Sequence, residues 1–408
     1  MILIEKINDV ALTGNERKNY RRKKKILDLL YHHDTLSATV IGKKIGVSLP
    51  TAISLLKELG ELKLVESRGA GKSKGGRKPM LFGLKNDSIF IIACELGRFS
   101  GKIGIYDSHT QLVGPVIGFE TNVDDEELVE KIYNGAQKII HENNIDETRV
   151  LGIGLAMPGL VDEANGINNT IKKKELKNVK ERVSQKFKKL VYVNNDARMQ
   201  AYGEYIFGTA KGHRNAMILN WNWGLGLGMI LNGKLYNGAT GFAGELSHIK
   251  FVDDGDLCIC GKRGCLETVT SVYVILRKAR EAVKAGKVSQ LTAKFTNREH
   301  EIEVEDIIQA ARTGDEFSIS LLNSIGLALG KALSNTIQLL NPDIIVLGGV
   351  VSEARQFVLT PIQQAVNKHC LEQISGNTQI VISEQWEHSG LLGLTAMLFQ
   401  KLFSDMYN

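Results

Sequence analysis

HIKFVDDGDLCICGKRGCLE, residues 248–267, is the stretch on which the reading of this chain turns. His248, Cys258, Cys260 and Cys265 bring one imidazole and three thiols close together in sequence. Three thiolates and a neutral imidazole suit tetrahedral zinc. Cys258 and Cys260 can bind from one turn, and Cys265 can close the site after Gly264. The turns expected at Gly261 and Gly264 fit a metal loop. Four protein ligands leave no position for water, so zinc held this way is structural rather than catalytic. Free thiols, or half-buried core cysteines, are the alternative for the same residues. The remaining cysteines are Cys94 and Cys370. An odd total with one tight cluster favours metal ligation in a reducing compartment over a disulfide framework.

Outward from this loop, buried strands alternate with helices. SIFIIACELG, GKIGIYD and QLVGPVIGFET predict three strands from residue 88 on. A helix is expected over 124–143, a strand at VLGIGLAMPG, a basic helix over 172–189 and a strand at LVYVNND. ARMQAYGEYIFG reads as a helix and AMILNWNWGLGLGMIL as a strand pair. Long helices follow at 268–285, 303–312 and 315–340, then strands at DIIVLGGVV and VISEQ and a last helix at SGLLGLTAMLFQKLF. This pattern predicts an α/β architecture with helix-flanked sheets. Asn195 and Asp196 end a buried strand, and strand ends are where open α/β sheets bind ligands.

The front of the chain differs in charge. Residues 1–84 hold 17 Lys/Arg against 8 Asp/Glu, a balance of +9, while residues 85–408 hold 34 against 37. A basic head on a near-neutral body points to nucleic acid. A short helix is expected over Ser37–Ile45 with Ser37 as N-cap, a turn at Gly46, and a second helix over Thr51–Leu59 capped by Ser48 with Pro50 in its first turn. Ile53, Leu56 and Leu59 would face the core. Ser48, Thr51, Ala52, Ser54 and Lys57 would then face DNA. LKLVES and MLFGL predict a hairpin with a basic, glycine-rich tip carrying Arg68, Lys72, Lys74, Arg77 and Lys78. Such a wing can contact phosphates or enter a minor groove. The same fold also serves as a protein-binding module, which the charge balance argues against. No stretch is read as approaching the roughly 20 apolar residues that span a bilayer, and the N-terminus lacks a signal-peptide layout, so a cytoplasmic protein is expected.

The zinc stretch and the layout resemble the ROK family of repressors and sugar kinases, and the head resembles its Mlc, NagC and XylR-type repressor branch. The resemblance implies a winged helix-turn-helix over 1–84 and a two-lobed, actin-like ATPase domain. Its first lobe would be 85–195 with the C-terminal helix 390–408, and its larger lobe 196–389. It implies a sugar or sugar-phosphate effector held by Asn195, Asp196, Glu245, His248 and Glu267, with His248 linking zinc to the sugar. Ser247 stands where the family usually has Gly. In kinase members the residue matching Asp196 is the base, and Asp-x-Gly-Gly-Thr cradles ATP phosphate. Here that stretch is Glu95-Leu-Gly97-Arg98-Phe99, and the second phosphate loop carries Trp223 in place of Thr. Phosphate cradles need close backbone approach and uncovered N–H groups. The expectation is therefore a sensor without kinase activity; a bifunctional kinase is the alternative. The late turn Leu347-Gly348-Gly349 matches the family's adenosine loop and reads as retained architecture. Two-fold DNA sites imply a homodimer or higher oligomer. Some family repressors are sequestered by a transport protein at the membrane, a further route of control.

Overall fold

The computed structural model describes residues 14–71 and 78–403. They divide into two compact units. The first takes in the described residues up to Gly159, Glu163–Asn194 and those from Leu394 on; the second is Leu160–Asp162 with Asn195–Gly393.

The first unit opens with the head. Helix Gly14–His32 buries Ile26, Leu27 and Leu30. After β1 (Leu36–Ser37), Ser37 caps helix Ala38–Ile45 by accepting the Val40 N–H, and Gly46 ends it at φ 70°. Ser48 caps helix Leu49–Glu61 by accepting the Thr51 N–H. The two helices cross at 106°, within the range of a helix-turn-helix. Small residues permit the crossing: a Cβ on Gly42 would lie 3.1 Å from the Val47 carbonyl oxygen and 3.4 Å from the Ala52 Cβ. β2 (Val65–Ala70) and β3 (Met80–Leu84) form the antiparallel hairpin, with β1 on the other side of β3. This is a winged helix-turn-helix arrangement.

Two expectations for the head are corrected. Ile53 is 51% exposed, while Ala52, Leu55, Leu56 and Leu59 are buried. These four fall at i, i+3, i+4 and i+7, the full helical stripe, whereas a stripe drawn through Ile53 drifts off the core. The wing strand begins at Val65, because Leu62 still caps the helix and Lys63 turns the chain at φ 57°.

The first sheet runs β10 (Leu190–Asn195), β7 (Val150–Met157), β4 (Phe90–Leu96), β5 (Ser100–Asp107), β6 (Leu112–Glu120). β4 pairs parallel with β7 and antiparallel with β5. Short strand β9 (Ile167–Asn168) precedes helix Val179–Phe187, while β8 (Val161–Asp162) falls in the second unit. That helix is shorter than the 172–189 expected, since Asn178 caps it and Lys174–Leu176 forms a separate turn. Helix Trp386–Phe403 gives its later turns to this unit, where Phe399 and Phe403 pack with Tyr31 of the head at centroid distances of 4.9 and 6.4 Å. The Tyr31 hydroxyl meets Thr110 at 3.0 Å.

The second unit is built on β13 (Lys234–Leu235), β12 (Leu225–Leu231), β11 (Ala216–Trp221), β14 (Ile344–Gly348) and β15 (Gln379–Ile382), in that order. β11 runs parallel to β14 and antiparallel to β12. Helix Asp196–Ile206 lies on β12, and the contact needs glycine there. A Cβ on Gly226 would sit 2.6 Å from the Ala197 Cβ, and one on Gly228 only 2.3 Å from the Ala201 Cβ. Helix Glu316–Leu340 is long and apolar enough to cross a membrane. It is nonetheless a core helix, burying Leu321, Leu322, Ile325, Leu329 and Leu333. The helix expected over 268–285 breaks at Ser271, whose extended backbone separates Glu267–Thr270 from Val272–Lys284.

Candidate functional site

The site is carried by the second unit. A single helical turn, Leu246–His248, presents His248. The loop beyond it folds back so that Cys258 N–H reaches the Lys262 carbonyl and Gly261 N–H the Cys258 carbonyl. Gly264 sits at φ 74°, and a Cβ there would lie 1.8 Å from the Val252 carbonyl oxygen, so no other residue fits this turn. The result is one cluster: a ligand atom from each of His248, Cys258, Cys260 and Cys265 lies within 4.8 Å of every other. Cys258 Sγ is 3.5 Å from His248 Nδ1, and Cys260 Sγ is 3.6 Å from Cys265 Sγ. Tetrahedral zinc with bonds of about 2.3 Å has ligand–ligand edges of roughly 3.8 Å, so the donors fit that ion. Burial, with help from neighbouring thiols, pushes the Cys258 thiol up to about 12.

His248 also faces the carboxylates. Its Nε2 is 4.0 Å from Glu245 Oε2 and its Nδ1 is 3.9 Å from Glu267 Oε2. Burial raises the Glu245 carboxyl above the usual range, while His248 and Arg198 pull it back. Asn195 and Asp196 stand at the junction of β10 and helix Asp196–Ile206. The Asn195 side chain accepts the Arg198 N–H at 3.2 Å, which fixes the helix start. Asp196 Oδ2 accepts from Asn220 Nδ2 at 3.4 Å. Asn220 in turn accepts from Asn222 Nδ2, and the Asn222 side-chain Oδ1 accepts the Val350 N–H at 2.8 Å. Sequence reasoning missed Arg198 and Asn220. Both are buried polar residues, 2% and 7% exposed, and a polar side chain inside an otherwise apolar helix or strand was the available signal.

At the two stretches that match phosphate loops in sequence, the side chains make other contacts. In the first unit, Glu95 pairs with Lys102 at 3.1 Å, and the Arg98 guanidinium lies over the Phe99 ring at 5.4 Å. In the second unit, Trp223 packs against the hydrophobic core and near Tyr273. The side chain thus joins the core, and what the loop loses at this position is a hydroxyl donor.

On the head, Ser48, Ser54 and Lys57 are exposed and Thr51 is half-buried, with the Ser48 and Thr51 hydroxyls 2.8 Å apart. Ala52, expected on this face, is fully buried against the preceding helix and presents nothing outward. Arg68 belongs to β2 rather than to the wing tip. It bonds the Leu84 carbonyl and Asn86 and pairs with Glu66 at 3.2 Å. Lys78 is exposed at the hairpin. Lys72, Lys74 and Arg77 lie outside the described residues.

Comparison with known proteins gives a consistent pattern. Residues 93–401 match the family model described as ROK family. The xylose repressor of Caldicellulosiruptor bescii is 28% identical over 93% of this chain and 95% of its own. A glucokinase of Halalkalibacterium halodurans is 32% identical over 65% of this chain and 81% of its own. Among solved structures, a ROK family transcriptional regulator, a homologue of the E. coli Mlc protein, superposes with a TM-score of 0.79 at 24% identity, covering 94% of this chain and 97% of that one.

Proposed function

This chain belongs to the ROK family, and from that premise we propose that it is a DNA-binding repressor of carbohydrate-metabolism genes under the control of a sugar or sugar derivative. One observation carries the reading. A winged helix-turn-helix is joined to a sugar-kinase-like body in which an ion pair, Glu95–Lys102, and the Arg98–Phe99 stack stand where kinase members grip phosphate. The match to the xylose repressor supports it by running through the head as well as the body.

In this reading the domains are 1–84, 85–195 with 390–408, and 196–389. Asn195, Asp196, Glu245, His248 and Glu267 hold the effector, because carboxylates accept hydrogen bonds from neighbouring hydroxyls. His248 Nδ1 and the Sγ atoms of Cys258, Cys260 and Cys265 hold a structural zinc, which when bound orders the loop carrying His248 and Glu267. With Nδ1 committed to the metal, Nε2 is the nitrogen left toward Glu245 and the ligand. Ser48, Thr51, Ser54 and Lys57 meet base edges and phosphates, with Arg77 and Lys78 on the wing. The working form is a homodimer or higher oligomer on operator DNA in the cytoplasm.

The kinase reading keeps one support, the retained Asp196 together with the glucokinase relative. A base has nothing to serve unless a γ-phosphate is bound and aligned. A coupled assay for ADP release across a sugar panel tests the choice, run beside a thermal-shift screen of the same sugars. The expected result is a stabilising sugar, a shift lost in Asp196→Ala, and no turnover. Turnover of about 1 s⁻¹ or more, within the ordinary enzyme range, would make the protein a kinase.

A further inference from the structure

Helix Leu49–Glu61 of the head turns one stripe outward. Leu49, Pro50, Ile53, Ser54 and Lys57 are exposed, opposite the buried Ala52, Leu55, Leu56 and Leu59. Two of the exposed five are large and apolar: Leu49 is 45% exposed and Ile53 51%. An exposed apolar residue is ordinary by itself; the charges around this one identify its partner. Residues 35–57 contain Lys43, Lys44 and Lys57 and no Asp or Glu, and all three lysines are exposed. The next acid, Glu58, is paired with Lys23 at 2.5 Å. Glu61 stands one turn beyond Lys57, 4.0 Å from it. An apolar stripe framed by cations complements a polyanion.

The major groove of duplex DNA offers an apolar group at its base edges, the C5-methyl of thymine. Among the exposed side chains, the Ser54 hydroxyl can donate or accept and so fits several base edges. Lys57 suits a phosphate or a guanine. Ile53 can do neither. Set against the amino group or carbonyl of another base, it would strip water from a polar group and return no hydrogen bond. Its position suits the task, because the N-terminal part of such a helix reaches base edges. Ser48 fixes where the helix begins by accepting the Thr51 N–H at 3.4 Å. The branched Cβ of Ile53 leaves it essentially one side-chain conformation in a helix, so its methyl groups are presented with little entropy to lose.

Resting on the DNA-binding reading above, we propose that Ile53 is a specificity-determining residue of this head. It packs on the methyl group of one thymine in each operator half-site, and so selects an A·T pair there. Thymine is rewarded by apolar burial, and other bases are penalised by an unpaired polar edge.

A uracil scan of the bound DNA tests this with the full chain. The probe is an operator fragment selected from genomic DNA, with each thymine replaced in turn by deoxyuridine, which pairs identically and lacks only the methyl. Affinity is read by fluorescence anisotropy. One replacement in each half-site is expected to weaken binding about fourfold, the worth of one methyl removed from water. In Ile53→Ala that replacement should cost nothing, while affinity for the thymine fragment falls about fourfold or more. Ile53 lies outside the core, so the variant should keep the native melting temperature, which shows that it folds. A tightly bound fragment indifferent to every replacement would overturn the inference and leave the DNA-binding reading standing. So would a uracil penalty undiminished in folded Ile53→Ala. If no fragment is selected at all, that reading falls and the inference with it.

Discussion

Replacing Gly264 by alanine attacks the metal loop at its tightest point, and the structure sets the size of the effect. At φ 74°, a non-glycine residue carries backbone strain of about 1–2 kcal/mol. The new Cβ would also fall 1.8 Å from the Val252 carbonyl oxygen and 2.9 Å from its carbon. Those are backbone atoms, so the turn itself has to open. Three hydrogen bonds are then at risk: Phe251 N–H and Val252 N–H to the Gly264 carbonyl, and Gly264 N–H to the Asp256 carbonyl. At about 1 kcal/mol each, the broken bonds and about 1–2 kcal/mol of strain together amount to roughly 4–5 kcal/mol, and opening the turn moves Cys265 away from its three companions. Gly264→Ala should therefore weaken zinc at least a hundredfold, by the factor of ten per about 1.4 kcal/mol. Gly261 supplies the control. It sits at φ 85°, yet nothing among the described residues lies within 4 Å of its Cβ position, so Gly261→Ala should cost only the strain, roughly a tenfold loss. The assay is competition with a chromogenic chelator, backed by metal content after dialysis. Equal losses in the two variants, or native zinc affinity in Gly264→Ala, would refute the reasoning.

Other perturbations separate further parts of the account. Ala52→Leu overfills the crossing of the two head helices and should cost about 1–3 kcal/mol, read as a lower melting temperature, whereas Ser54→Ala should leave melting unchanged and weaken DNA binding. Arg77→Ala with Lys78→Ala should flatten the salt dependence of DNA affinity by about one unit of slope for each phosphate no longer neutralised, measured by fluorescence anisotropy at several salt concentrations. Burial alone would raise the Asp315 carboxyl, but hydrogen bonds from Ser318, Gln290 and Ser289 hold it below its usual range. A depressed carboxylate stabilises the fold above its unfolded-state value and loses that contribution as pH falls through the folded one. Asp315→Asn should thus lower the melting temperature at neutral pH and flatten its fall in acid, as followed by circular dichroism.

Much of this was written in the chain. The gathering of His248, Cys258, Cys260 and Cys265 was legible because four donors and two turn glycines have few other uses together. The head helices were legible from Ser37, Gly46 and Ser48, whose caps act locally. The buried strands showed as short apolar runs. What stayed hidden depends on partners distant in sequence. Ala52 reads as facing DNA until Gly42 is known to cross over it, and Ile53 reads as core until the stripe is set by Leu55. Helix Gln356–His369 went unread because its polar residues and its internal Pro361 dilute the pattern. Arg198 offers only the weak signal of a charge in the first turn of a helix; its influence on Glu245 comes from the fold. Trp223 was expected to cover a phosphate loop, and only the packing shows it turned to the core.

The most direct test of the account is the affinity of the full chain for an operator fragment, selected from genomic DNA, measured across a panel of sugars. The account predicts that at least one sugar changes that affinity by about 5–150-fold, the usual span of coupling between two sites, and that Asp196→Ala abolishes the change while still binding the fragment. A panel without effect, or a response that survives in Asp196→Ala, would contradict it.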